Sequence, residues 1–274
     1  MKLLILGIDG LGYDNLTQYF RDYLPNLNRL CRDNLCLRIE LDDAVSPRNW
    51  VRIFSGVDLP WYRLYVVPTY VKDGVVHYRV VTRNDLPVKF IWDYFDDIVV
   101  INAPITTPTF SKNTDFKCVG YGMPLTFVEW NRELQQVTQH ALSAIRSNRD
   151  TIAVYTLVDR MLHVTAKHNI LNFILRRLDL AVAAIIREAE QRGYRWIIIS
   201  DHGMRRISSE ESGSIAPRHD MPWMKTVTKR IHDHSNDALY ITNTGYRVQR
   251  LEDVFRVAYT ILKRIREGLG DEGA

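Results

Sequence analysis

The 274-residue sequence has no apolar run of 18 residues, so it offers no membrane-spanning helix. It has no internal repeat, no low-complexity segment and no recognisable linker, which excludes solenoid and array architectures. Cysteine is scarce. Cys31, Cys36 and Cys118 are odd in number and lack zinc-type spacing, so reduced, structural thiols are expected. No block of like charge occurs either. Lys and Arg total 36 against 32 Asp and Glu, a net charge of +4, and the basic residues are scattered. That pattern describes a solvated surface, and no stable nucleic-acid complex is expected. The chain enters its first apolar segment at Lys2-Leu3, leaving no room for a signal peptide, and a cytoplasmic protein is expected.

What is present is strong alternation of two patterns. Apolar runs at Leu3–Ile8, Ile98–Asn102, Ile152–Val158, Arg195–Ser200 and Ala238–Thr242 read as buried strands. Helical periodicity fills Leu24–Asn34, Val128–Arg146, Asn169–Gln191 and Leu251–Leu269. Pro25 suits the start of the first helix, and Gly193 and Gly270 suit the ends of the last two. This alternation predicts an α/β fold with a mostly parallel central sheet and helices on both faces. It fits a single domain over 1–270 with a disordered tail at 271–274. Tyr65–Tyr70 and Val75–Val81 flank Lys72-Asp73-Gly74, a β-hairpin excursion expected at the sheet edge or over the crevice. Residues 103–127 read as a long loop near that crevice.

Two of the apolar runs end abruptly in metal-ligand residues followed by glycine: Ile8-Asp9-Gly10 and Ser200-Asp201-His202-Gly203. Ligands of open α/β sheets bind beyond the carboxyl ends of such strands, so both would project into one crevice. Asp159 follows the run Ile152–Val158, with His163 four residues later, and His234 stands just before the last strand. Ser46 opens an apolar helical stretch that ends at Ser55-Gly56, where backbone N–H groups can hold a phosphate. Three Asp, three His and a Ser suit two divalent cations. Mixed imidazole and carboxylate ligation favours zinc, with manganese or iron as alternatives. Two ions about 4 Å apart can clamp the attacking and leaving oxygens of a phosphoryl displacement. Gly7-Ile8-Asp9-Gly10-Leu11-Gly12 lacks the G-x-G-x-x-G spacing of a dinucleotide loop. A sulfatase would need Cys or Ser two residues before Pro47 and Arg two after it. Val45 and Asn49 stand there.

On these motifs the sequence resembles the type I phosphodiesterase/nucleotide pyrophosphatase family of the alkaline phosphatase superfamily. The resemblance runs in order through Asp9-Gly10, Ser46…Trp50…Gly56, Asp159-x-x-x-His163, Ser200-Asp201-His202-Gly203-Met204 and His234. It implies an alkaline phosphatase-like layered fold. It also implies a division of ligands, with Asp159, His163 and His234 on one metal and Asp9, Ser46, Asp201 and His202 on the other. Asn49 matches a family position that helps stabilise the transferring phosphoryl oxygens. The nucleophile is Ser46 where Thr is more usual. Asp58-Leu59-Pro60-Trp61-Tyr62 replaces a Gly-Lys-His-Gly-type stretch.

The expected function is hydrolysis of a phosphodiester or nucleotide pyrophosphate through a phosphoserine at Ser46, on a small phosphate-ester substrate. Trp50, Trp61 or Tyr62 would face the diester's second substituent, and Arg48 is a further phosphate-binding candidate. His232 and His219 are decoys for the late ligand. The rivals are a phosphomonoesterase or phosphomutase on the same core, and a non-catalytic metal- or nucleotide-binding protein.

Overall fold

The computed structural model describes residues 1–59, 66–72, 75–80, 82–105, 114–117, 119, 126–208 and 231–269. The run after Met1 becomes β1 (Lys2–Ile8), the centre of a seven-stranded sheet. It pairs in parallel with β7 (Asp150–Tyr155) on one side and β8 (Tyr194–Ile199) on the other. Beyond β7 lie β5 (Ile98–Ile101) and β6 (Asp115–Lys117), also parallel. Beyond β8 the direction reverses. β11 (Asp237–Thr242) pairs antiparallel with β8, and β2 (Leu35–Glu40) antiparallel with β11, giving the order β2-β11-β8-β1-β7-β5-β6.

Side-chain alternation along β1 sorts the core into two layers. Leu4, Leu6 and Ile8 pack with residues of α1 (Pro25–Asp33), α3 (Phe127–Arg146), α4 (Leu157–Val164) and α5 (His168–Gln191). Leu3 and Ile5 face the opposite layer, built by α2 (Ser46–Ser55) and α6 (Leu251–Arg266). Each of these buried aliphatic side chains contributes roughly 1.5–3 kcal/mol relative to exposure. Gly7 faces the second layer without a side chain. A Cβ there would lie 2.7 Å from Cη2 of Trp50, so the indole lies directly on the strand backbone.

Several expectations shift. The run Ile152–Val158 is not one strand: β7 stops at Tyr155 and α4 starts at Leu157. A buried strand followed at once by a buried helix gives one unbroken apolar run, and periodicity cannot divide it. The hairpin forms as β3 (Val66–Lys72) and β4 (Val75–Val80), but as a separate two-stranded sheet. Its turn residues Asp73 and Gly74 lie outside the described residues. β6 lies inside the expected 103–127 loop, most of which is likewise outside, as is the 271–274 tail. Gly193 ends α5 at φ 70°, whereas α6 ends at Arg266, earlier than expected, with Gly268 at φ 70° just beyond it; Gly270 lies outside the described residues.

The thiol expectation is corrected for two cysteines. Cys31 and Cys36 form a disulfide, because the end of α1 and the start of β2 bring their Cα atoms to 5.0 Å. Cys118 lies outside the described residues. No described helix is long and apolar enough to cross a membrane.

Candidate active site

The ends of β1 and β8 lie side by side, and each turns sharply to present a carboxylate. Asp9 N–H donates to Tyr155 O at 2.9 Å, and Asp159 N–H donates to Asp9 O at 3.1 Å. Gly10 makes that approach possible: its φ is +77°, and a Cβ would meet Asp159 Cα at 2.9 Å. Asp201 and His202 follow β8 and are fully buried. Asp159 and His163 occupy successive turns of α4, four residues apart on one face. His234 arrives on β10 (His232–Ser235), which pairs antiparallel with β9 (Gly203–Arg206), placing His234 opposite Met204.

All seven sequence-derived ligand candidates meet in this crevice. The donor atoms of Asp9, Asp201 and His202 lie within 4.8 Å of one another, as do those of Asp159, His163 and His234. The two groups adjoin. His202 Nε2 is 3.9 Å from Asp159 Oδ1, and the rings of His202 and His234 stack at 3.8 Å between centroids.

Ser46 is the first residue of α2, with Pro47 in the first turn. Its Oγ sits 2.6 Å from Asp201 Oδ2, 2.7 Å from His202 Nε2 and 3.2 Å from Asp9 Oδ1.

The histidine orientations follow from their outer nitrogens. Nδ1 faces a backbone carbonyl in each: His202 to Gly203 O at 2.9 Å, His163 to His232 O at 3.0 Å, His234 to Ala44 O at 2.5 Å. A carbonyl only accepts, so each Nδ1 carries a proton and each ring turns its Nε2 inward, bare in His202, whose neutral form burial favours. Around Ser46 there are then three acceptors and one hydroxyl proton. In the second group, His163 Nε2 and His234 Nε2 face each other at 3.1 Å, with Asp159 Oδ1 at 3.1 and 3.2 Å from them. Among the described residues that buried oxygen has no hydrogen-bond partner. Acceptors gathered without donors are what a divalent cation satisfies, so the residues present fit the ions the sequence implied.

The electrostatics agree. Burial pushes the Asp9 carboxyl up to about 8, and the charge of Asp159 adds to the effect. Asp201 is raised well above the carboxylate range by burial and by Asp9. Burial lowers His202 to about 3, helped by His234. For Asp159, burial acts upward but His163 and His234 outweigh it, holding the carboxyl well below its usual value. Burial opposes protonation of His234, yet Asp159 outweighs it and the imidazole is raised.

Three neighbouring side chains have roles other than those expected. Arg48 cannot serve a phosphate as placed. Its guanidinium pairs with Asp58 at 2.6 and 2.7 Å, Asp42 at 2.9 Å and Asp43 at 3.3 Å, and Asp58 foremost raises its pKa. Trp50 does not line a substituent pocket. It is buried beneath Asp9, and its indole N–H donates to Asp9 Oδ2 at 3.2 Å. Asn49 directs both Nδ2 protons to carbonyls, those of Asp43 at 3.0 Å and Asp201 at 2.9 Å, so the amide braces α2 against Asp201. Trp61, Tyr62 and His219 lie outside the described residues. His232 supplies a backbone carbonyl, and its own Nδ1 bonds Leu162 O at 2.8 Å. Arg160, a cation inside the Asp159–His163 spacing, pairs with buried Glu133 at 3.4 Å.

The family described as Type I phosphodiesterase / nucleotide pyrophosphatase matches residues 50–264 of the sequence. That span holds Asp159, His163, Asp201, His202 and His234, while Asp9 and Ser46 precede it. No curated protein matches the chain. Among solved structures, a phosphonoacetate hydrolase from Sinorhizobium meliloti, in complex with phosphonoformate, is similar at TM-score 0.65 and 10% identity. The match covers 95% of each chain. Murine ectonucleotide pyrophosphatase/phosphodiesterase 5 is similar at TM-score 0.63 and 10% identity, over 100% of this chain and 96% of its own. The alkaline phosphatase from the Antarctic bacterium TAB5 is similar at 0.57 and 12%, over 96% and 97%. At these identities the likeness is one of fold.

Proposed function

Because the chain belongs to the type I phosphodiesterase/nucleotide pyrophosphatase family, a family of phosphoester-cleaving enzymes, we propose that it hydrolyses a phosphodiester or nucleotide pyrophosphate by attack of Ser46. The observation that carries this reading is the placement of Ser46 Oγ within 3.2 Å of Asp9, Asp201 and His202 at the start of a buried helix. Two divalent cations, zinc by the donor chemistry, would make the Ser46 hydroxyl more acidic and offset charge on the phosphoryl oxygens.

In the first half-reaction the bond from Ser46 Oγ to phosphorus forms and the bond to the leaving oxygen breaks. The serine proton passes to solvent, since Asp201 and His202 would be held as cation ligands; without cations their Oδ2 and Nε2 are the acceptors nearest Ser46 Oγ, at 2.6 and 2.7 Å. The leaving oxygen departs on the side of Asp159, His163 and His234. Water then cleaves the phosphoserine and Ser46 regains its proton. The first turn of α2 contributes a positive dipole end toward the phosphoryl group throughout.

A diester is favoured over a monoester by the state of Arg48. A monoester dianion has one more charged oxygen to accommodate, and Arg48, two residues after the nucleophile, is occupied by three carboxylates. The test is a paired assay of bis-p-nitrophenyl phosphate and p-nitrophenyl phosphate with Zn²⁺ and Mn²⁺. The diester should show the higher kcat/KM, and acid-quenched reactions with it should carry a p-nitrophenyl phosphoryl group on the peptide containing Ser46. A higher kcat/KM for the monoester would replace this reading with the monoesterase. Turnover of neither would favour a binding protein.

A further inference from the structure

We propose that Asn15, which is not one of the ligand candidates, is a positioning residue that holds His202 in its cation-binding orientation. The proposal rests on reading Asp9, Asp201 and His202 as a metal group. Asn15 is almost fully buried. Its Oδ1 accepts from Met204 N–H at 2.7 Å and from Gly12 N–H at 3.2 Å, and its Nδ2 donates to Met204 O at 2.7 Å. One carboxamide therefore engages both backbone groups of Met204, as a neighbouring strand would. The same side chain reaches the segment that follows Asp9, through Gly12, and the segment that follows His202, through Met204.

The residue between His202 and Met204 is Gly203, whose carbonyl takes the Nδ1 proton of His202 at 2.9 Å. Gly203 is pressed from several sides. A Cβ there would lie 2.5 Å from Asp237 Oδ1 and from Ser235 Oγ, and 3.0 Å from Asn15 Oδ1. Asp237 helps from the far side, accepting from Ser235 Oγ at 2.6 Å and from Asp14 N–H at 2.9 Å. With Met204 held and Gly203 confined, the carbonyl that selects the His202 tautomer has a fixed position. Nε2 then faces Ser46. Removing the carboxamide frees that carbonyl, and the ring loses its single tautomer and its aim. Met204 also lies opposite His234 in the β9–β10 pair, so the clamp backs the second group as well.

The test uses the full chain with Asn15→Ala and Asn15→Ser, the latter keeping one acceptor if the alanine variant does not fold. Zn²⁺ and Mn²⁺ affinities are measured by chelator competition. The His202 tautomer is read in metal-free protein from long-range ¹H–¹⁵N ring correlations, assigned against His202→Gln. Expected are cation binding weakened by about 10–100-fold and a mixed His202 tautomer. Unchanged affinity and an unchanged tautomer, with only a lowered Tm, would overturn the proposal. If the wild type binds no divalent cation, the metal reading fails by itself. The metal-free tautomer of the variants then decides the role of Asn15 separately.

Discussion

The two ligand groups solve the same problem in opposite ways. Asp9, Asp201 and His202 stand directly after central strands, and all three are buried. Asp159, His163 and His234 sit on a short helix and a two-stranded ribbon, with Asp159 and His234 partly open to solvent. In the first group two carboxylates face a histidine that burial keeps neutral, and burial outweighs the groups that would favour their charged forms. In the second, one carboxylate faces two imidazoles and holds its charge easily. Without a cation, protons take its place in both groups, on the carboxyls of Asp9 and Asp201 in the first and on His234 in the second. Rigid burial creates the stronger demand for metal, and Ser46 is attached to that side.

The largest expected break in this comparison is at Ser46. Ser46→Ala should lower kcat by at least about three orders of magnitude in steady-state assays of bis-p-nitrophenyl phosphate, since the covalent route is lost. Ser46→Thr should retain measurable activity. Wild-type activity in the alanine variant would make serine a bystander.

Next come the ligands themselves. Wild type should carry about two ions per chain and both Asp201→Asn and His234→Ala about one, by elemental analysis. Their metal-free stabilities should diverge. Asp201→Asn removes a buried acid and should raise Tm in EDTA by about 2–4 °C, at the cost of activity. His234→Ala removes a partner of Asp159 and should lower it. A fall for both would erase the proposed difference between the groups.

Trp50→Phe tests support from behind the first group. It keeps the ring but removes the N–H from Asp9 Oδ2, and should weaken cation binding by about 10–100-fold in chelator competition. No change would confine the indole to packing.

The smallest effect is on pH. Asp9, Asp201 and His234 have folded values raised above the unfolded ones, so their stabilisation is lost as pH rises through the folded values. His202 is lowered from 6.5 to about 3, so its opposing contribution is complete above about pH 6.5. Between about pH 6.5 and the Asp9 value near 8, metal-free protein should lose Tm steadily, and Zn²⁺ should flatten the slope. Scanning fluorimetry with and without EDTA reads both. A Tm that rises over this range without metal would contradict the charge imbalance.

The layered sheet and the meeting of the seven candidate ligands were legible because burial and chemistry meet at one boundary. An apolar run that stops at Asp9 or Asp201 marks both a strand end and a polar residue beyond it. What was illegible depends on backbone and on distant pairing. The carbonyls of Ala44, Gly203 and His232 orient the three imidazoles, and a carbonyl has no signature in residue type. Arg48 looked available because Asp42, Asp43 and Asp58 reach it only once the chain ends of α2 fold back. Trp50 looked like a substrate contact because sequence does not say which way an indole points. β2 did leave a sign, the alternation of Leu35, Leu37 and Ile39, overshadowed by the helix before it.

The bare strand position at Gly7 has a consequence for how this protein tolerates change. Trp50 lies against it with one edge and bonds Asp9 with the other, so the width of a single indole separates a packing contact from the crevice. An added methyl at residue 7 must push that ring, and the ring must either tilt away from the carboxylate or carry it along. In a deep mutational scan Gly7 would then score with Asp9 and Ser46, not with its neighbours Ile5 and Leu6, although it touches neither ion nor substrate. Inheritance at this locus would be read as loss of activity in a protein that still folds.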